Sequence, residues 1–349
     1  MNVIQNIDVK DKNVLVRVDF NVKLEDGDIR ERFKMESARE TIGYLQEKGA
    51  RSITLLTHLG RPKGRYNELL SLSNITDDIE RTLMIKTIFL EDCKGEKVAS
   101  AIEKAQNGSI FLLENVRFHA EEEEDYSMFA QELAEPFNLF VNDAFSVCHR
   151  AHVSTHGITK YIPSYAGLYL QREVRVLSGI RKEVASPSVA VVGGAKIATK
   201  LPLIQVFAKT FDTVLVGGKV ANELIDQKIE LPGNVILPQD FEGERLDIGE
   251  KTRKQFVEKC AGTKTIVWNG PLGMFEDERY AKGTLEIART IAMSDAFSVV
   301  GGGESIEILE DLYLLKEVGF VSTGGGAMLS YLMGEVMPGL EALEEAPSV

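Results

Sequence analysis

The sequence predicts an α/β protein of two doubly wound parallel-sheet (Rossmann-like) domains joined by a hinge helix. Short β-branched runs alternate with helix-period stretches from end to end. The alternation breaks near Ser186-Pro187 and then resumes, and glycines cluster directly after several of the runs. Strand–helix alternation of this kind builds parallel sheets covered on both faces. Asn13–Val18 reads as the first strand. The stretch after it sets Ala38, Ile42 and Leu45 on one helical face, with Gly49 suited to the C-terminal cap. Ser52–Thr57, Ser109–Leu113 and Asn138–Val141 follow as strands, with helical patterns at Asp77–Leu83, Glu96–Ala105 and Met128–Leu133. The long pattern Leu168–Val184 is the expected seam. Beyond it, strands are predicted at Ser188–Val192, Thr213–Val216, Asn234–Leu237, Thr265–Trp268, Phe297–Val300 and Gly319–Val321. Helices are predicted at Leu201–Lys209, Val220–Asp226, Arg253–Cys260, Ala281–Ala292, Ser305–Leu312 and Met328–Leu332.

Bulk properties agree with two cores. The chain has 349 residues, 44% hydrophobic and 27% charged, and one domain takes roughly 100–200 residues. A net charge of −13 argues against a nucleic-acid coat or a polybasic membrane binder. No apolar run reaches the roughly 20 residues of a membrane span, and the N-terminus lacks the basic-then-apolar layout of a signal peptide. The expected location is the cytoplasm. Cys93, Cys148 and Cys260 lie far apart, so neither a disulfide framework nor a CxxC metal site is suggested. The acidic run Glu121–Asp125 reads as a solvated surface.

The clusters are Gly193-Gly194, Gly217-Gly218, Gly301-Gly302-Gly303 and Gly324-Gly325-Gly326, each between a predicted strand and a predicted helix. A single pair would read as a tight turn. Four of them at strand ends point to a phosphate or nucleotide crevice, because ligands of open α/β sheets bind outside the carboxyl ends of the strands and helix N-termini attract anions. No GxxxxGK[ST] is present, and no GxGxxG follows a strand. GGAKIATK instead sets Lys196 and Lys200 one helical turn apart, where one face could touch one anion. In the N-terminal half the strand ends carry cations: His58 and Arg61, Arg117, then His149, Arg150 and His152, with Asp19 and Asn21 after the first strand. Several cations at one sheet edge of an acidic protein suggest an anion pocket. One domain is thus expected to hold a nucleotide and the other a small phosphate or carboxylate.

The motifs VLVRVDFNV, THLGRPKG, LLENVRFH, VNDAFSVCHRAHVST, VAVVGGAKI, IVWNGPLGMFE, VVGGGES and VSTGGGA, in that order along the chain, resemble the successive signatures of the phosphoglycerate kinase family. The resemblance implies reversible phosphoryl transfer between 1,3-bisphosphoglycerate and ADP, giving 3-phosphoglycerate and ATP with Mg²⁺. It implies a monomer with a phosphoglycerate-binding domain at 1–165, a hinge at 166–185, a nucleotide-binding domain at 186–330, and a tail at 331–349 returning to the first domain. No nucleic-acid or membrane partner is expected. Matching the motifs residue by residue puts Asp19, Asn21, Lys34, His58, Arg61, Arg117 and Arg150 around phosphoglycerate. Gly194, Lys196, Lys200, Gly218, Asn269, Glu276, Gly301, Gly302, Gly303, Glu304 and Ser305 would surround the nucleotide, with Glu304 toward the metal. Lys34, Lys196, Lys200, Gly325 and Gly326 would act on the transferring phosphoryl group.

Several departures fall on these motifs. Lys34 stands where the family has an arginine, and Glu304 where GGGD supplies an aspartate. Lys219 follows Gly217-Gly218 in place of a small residue, Thr199 replaces a common aspartate, and Ser146 a glycine. The connection between Leu224 and Leu246 is shorter than usual. An inactive or weak paralogue that binds phosphoglycerate or a partner, or a kinase for another small phosphorylated acid, are the other readings. An open slot beside Gly218 and Lys219 would favour the enzyme; a lysine filling it would favour the paralogue.

Overall fold

The computed structural model describes residues 1–25 and 28–347. The chain divides into two compact units. The first runs from Met1 to Arg175 and includes the C-terminal stretch from Val336; the second is Val176–Glu335. The division therefore falls inside one helix, α6 (Leu168–Lys182).

In the first unit β1 (Asn13–Arg17) leads into a small antiparallel hairpin, β2 (Lys23–Glu25) and β3 (Asp28–Arg30), then α1 (Arg32–Ser37) and α2 (Arg39–Glu47). There follow β4 (Ser52–Leu56), α3 (Thr76–Leu83), β5 (Ile88–Leu90), α4 (Glu96–Glu103), β6 (Ser109–Leu113), α5 (Ser127–Ala134), β7 (Leu139–Asn142) and β8 (Ser164–Ala166). Six strands pair in parallel in the order β5-β6-β4-β1-β7-β8. Side chains alternate across a strand, so Val14 and Val16 join Ile42, Leu45 and Ile79 on one face. Leu15 faces the other way, among Phe129, Leu133 and Phe140. Both faces are dry, which is why β1 reads as an almost unbroken apolar run.

The second unit contains β9 (Ser188–Val192), α7 (Ile197–Thr210), β10 (Thr213–Val216), α8 (Gly218–Asp226) and β11 (Val235–Ile236). A tight hairpin of β12 (Phe241–Glu242) and β13 (Asp247–Ile248) leads to α9 (Glu250–Cys260) and β14 (Thr265–Asn269). Then come α10 (Lys282–Ala292), β15 (Phe297–Gly301), α11 (Gly303–Asp311), β16 (Phe320–Ser322) and α12 (Gly325–Met333). The parallel order is β11-β10-β9-β14-β15-β16. Helix α13 (Pro338–Glu345) belongs to the first unit, where the Gly339 amide donates to the Cys148 carbonyl at 2.9 Å. The last two residues of the tail expected over 331–349 lie outside the described residues.

The two parallel sheets match the expected fold class. Sequence periodicity does not reveal β5, β8, the two hairpins, α1 or α13. Each is short, and β5 carries an exposed Ile88 at the sheet edge, so no sustained period exists to read. No described helix is long and apolar enough to cross a membrane. One expectation fails outright: Glu122, in the acidic run read as solvated, is fully buried. It accepts hydrogen bonds from the Ser154 amide at 2.9 Å and hydroxyl at 2.6 Å.

Candidate functional site

The first unit's candidate site grows from the carboxyl ends of β1, β4, β6 and β7. The strand order places β1 between β4 and β7, so the chain leaves β1 on opposite sides and opens a crevice there. Asp19 is buried and accepts from the Asn21 amide at 3.1 Å. The Asn21 Oδ1 accepts from the Gly60 amide at 2.8 Å, tying the loop after β1 to the loop after β4. Arg117 is buried, with Nη1 donating to the Gly60 carbonyl at 3.2 Å and Nε 3.4 Å from Glu123. Arg61 and Arg150 are exposed.

Arg17 lies beneath them and sequence reading missed it. It is fully buried in a strand whose other buried side chains, Val14, Leu15 and Val16, are apolar, and that mismatch is the signal VLVRV carries. Its Nε donates to Ser154 Oγ at 2.8 Å, and Nη2 meets His58 Nδ1 at 3.0 Å. Burial, then Arg17 and Arg117, push the His58 pKa well down, so the imidazole is neutral. Burial and the charge of Arg17 bring the Arg117 pKa down to about 10. The His152 pKa falls to about 3 through burial and Arg117, and its ring is neutral too. The 3.8 Å approach of His152 Nδ1 to Glu122 is then no ion pair. Cations crowded enough to suppress one another's protons are a site that an anion would relax.

Lys34 sits on α1 and reaches the same loop, donating from Nζ to the Asn21 carbonyl at 3.2 Å and pairing with Glu31 at 2.8 Å. Glu31 caps the start of α1 in the left-handed conformation (φ 59°) with a largely buried side chain. A non-glycine residue held there costs local strain, a feature that gathers at functional sites.

In the second unit all four glycine clusters do stand at strand ends, but they do two different jobs. The amides of Gly193, Gly194, Gly217 and Gly218 are spent on backbone carbonyls of Asn269, Pro271, Val192 and Leu272, at 2.8–3.0 Å. These two pairs bring the strand ends together; a Cβ on Gly218 (φ +66°) would meet the Pro271 carbonyl at 2.8 Å. Their amides are thus engaged within the protein itself. The other two clusters open α11 and α12, whose first-turn amides have no intrahelical acceptor. A Cβ on Gly325 would lie 2.7 Å from Gly302 Cα, so the two helix starts converge only because residue 325 is glycine.

The lysine pair also differs from its expectation. Lys196 is the exposed N-cap of α7, outside the helix, because its extended backbone (φ −106°, ψ 95°) ends the loop. Lys200 lies in the helix and turns inward, buried, with Nζ bonded to Asn269 Oδ1. Burial brings its pKa down to about 8, against the pull of Glu304. Asn269 is buried and also donates to the Gly301 carbonyl at 2.7 Å, linking β14 to β15. Ser305 is fully buried, its Oγ accepting from the Gly270 amide at 2.9 Å. Glu276 and Glu304 are exposed and line a cleft of about 460 Å³ with Gly194, Gly218 and Lys219. Lys219 is an exposed wall of that cleft and does not fill it. The β12–β13 hairpin supplies the facing wall through Glu244, Arg245 and Leu246. Arg245 is fixed by Asp226 at 2.7 Å and by the Phe241 ring at 5.2 Å. The spacing around 224–246 gave no sign of it as a cleft residue.

The family model described as phosphoglycerate kinase matches residues 4–240 and 227–335. The phosphoglycerate kinase of Moorella thermoacetica is 36% identical over 388 aligned positions, covering 98% of both chains. That of Borrelia duttonii is 38% identical over 387 positions, again 98% of each. Alignments longer than this 349-residue chain mean that the relatives carry segments it lacks, and the two family matches overlap at 227–240, within the shortened connection. The crystal structure of phosphoglycerate kinase from Pyrococcus horikoshii superposes with a TM-score of 0.88 at 30% identity, over 99% of this chain and 98% of that one. The enzyme from Coxiella burnetii gives 0.80 at 30%, over 98% of each. The chain belongs to the phosphoglycerate kinase family.

Proposed function

We propose that this chain catalyses the family reaction, reversible phosphoryl transfer between 1,3-bisphosphoglycerate and ADP to give 3-phosphoglycerate and ATP. The observation that carries the reading is the pairing of a cation-dense crevice in one unit with an open, glycine-floored cleft in the other. In the first unit Arg61, Arg117 and Arg150 would grip the phosphate and carboxylate of phosphoglycerate, while Asp19 and Asn21 orient its hydroxyl. In the second, the cleft beside Gly218 and Glu276 would take the nucleoside, and Lys196, Lys200 and the starts of α11 and α12 would take its phosphates.

In-line transfer asks little covalent help from a protein; alignment and positive charge at the equatorial oxygens supply the rate. Lys200 brings a desolvated ammonium on a fixed helix, worth more there than in water. Lys34, steadied by Glu31, would meet the transferring group as a point charge without the planar fork of arginine. The exposed carboxylate of Glu304 at the cleft rim suits Mg²⁺, which prefers oxygen ligands and usually keeps several waters. Glu304 would hold the ion, which when bound would supply positive charge to offset that of the phosphates. A cytoplasmic monomer acting on small molecules completes the reading.

The test is a coupled assay of purified protein with 3-phosphoglycerate and MgATP. Turnover is expected. No turnover, with 3-phosphoglycerate still raising the melting temperature, would overturn the enzyme reading.

A further inference from the structure

A second constellation lies at the far edge of the first unit's sheet. Strands β5 and β6 are neighbours, paired in parallel from Ile88↔Phe111 to Leu90↔Leu113. Their carboxyl ends therefore bring two segments together: Asp92-Cys93 after β5, and His119 after the turn that follows β6. One ligand atom from each of Asp92, Cys93 and His119 lies within 4.8 Å of the other two. The His119 ring is fixed against Phe129, centroids 5.1 Å apart, with Nε2 held 2.9 Å from Asp92 Oδ1. That same oxygen accepts from the Cys93 amide at 2.7 Å, so the carboxylate is oriented by the backbone.

We propose that Asp92, Cys93 and His119 form a binding site for a single Zn²⁺-class ion that staples the β5 and β6 ends. Sulfur, imidazole nitrogen and carboxylate oxygen are the mixed donor set this borderline ion takes, and three protein ligands leave a fourth position for water. Metal–ligand bonds of roughly 2.0–2.3 Å set tetrahedral donors about 3.3–3.8 Å apart, so donors within 4.8 Å of one another would close in by up to about 1.5 Å on binding. The thiol is buried while Asp92 is half exposed, so the ion enters from the carboxylate side. A second feature points the same way. A cleft of about 880 Å³ beside Asp92 is lined by Glu96, Glu103, Glu132 and Glu135 against Lys94 and Arg51. Lys94 is already paired with Glu132 at 2.9 Å. An acidic approach of this kind concentrates cations. On binding, the Cys93 S–H bond breaks, the thiolate binds the ion and the proton passes to solvent; no electrons move.

The full, reduced chain is titrated with Zn²⁺ against a chromophoric chelator, and separately with Co²⁺ while its absorption is followed. The expected result is one ion per chain and a sulfur-to-cobalt charge-transfer band. His119→Gln, at a partly exposed position, should weaken binding by about tenfold or more, and Cys93→Ser should remove the band. Because Cys93→Ser alters a buried site, its melting curve is taken beside it, and His119→Gln carries the test if that variant unfolds. Failure to bind one equivalent, a Co²⁺ complex with no thiolate band, or undiminished binding in His119→Gln would each overturn the site.

Discussion

The two units share one sheet architecture and solve opposite recognition problems. The first gathers charge on side chains. Arg17, Arg117, His58 and His152 crowd so closely that burial and mutual repulsion strip both imidazoles of their protons. The second relies on backbone, with glycine permitting two helix starts to converge and one buried lysine supplying the inner charge. The contrast suits the ligands proposed for them. A small rigid acid offers little but charge to hold. A nucleotide offers a long chain of phosphates that amides can follow and a base that needs an open slot.

The largest test of this contrast strikes the buried lysine. Lys200→Ala should lower turnover about 10²-fold or more and weaken ATP binding, with 3-phosphoglycerate affinity unchanged by calorimetry. Equal loss of both ligands would mean that the division of labour is wrong, or that the Asn269 link was needed for folding.

Next in size is the proton linkage of the first unit, which holds all five histidines. His152 has a folded pKa of about 3, below the ordinary value near 6.5. The unfolded chain therefore takes up the proton first, and stability present above about pH 6.5 is lost as the pH falls. Between pH 7 and pH 5 this one ring should cost on the order of 2 kcal/mol. Asp143 opposes the trend, since burial raises its carboxyl to about 7 and stability gained by its protonation grows as the pH falls. Comparing urea midpoints of the wild type with His152→Gln at both pH values isolates the histidine. An identical acid loss in the variant would remove His152 from the explanation.

The smallest change sharpens the chemistry. Lys34→Arg restores a planar, forked donor and should raise kcat several-fold, up to about tenfold, with ATP binding unaltered. An unchanged or lower kcat in steady-state kinetics would mean that the Glu31–Lys34 pair has fitted the crevice to an ammonium.

Much of this was legible in the chain itself. Strong apolar periods gave the core strands and the principal helices, since alternation and helical spacing are local properties that burial on both faces enforces. The order of the motifs gave the family, and the glycine clusters marked the ends of strands. The sequence could not distribute the work among those residues. That Gly193-Gly194 and Gly217-Gly218 spend their amides on neighbouring backbone carbonyls, while the first-turn amides of α11 and α12 have no intrahelical acceptor, depends on which loops meet across β9, β10 and β14. Lys196 and Lys200 separate because the helix begins between them. Glu122 leaves solvent because the loop carrying Ser154 reaches it from more than thirty residues away. Arg17 becomes the hidden centre of a cationic crevice only once β1 lies between β4 and β7. Periodicity records which face of an element is dry; charge, hydrogen-bond partners and pKa depend on contacts between residues far apart in the chain, and these exist only after it has folded.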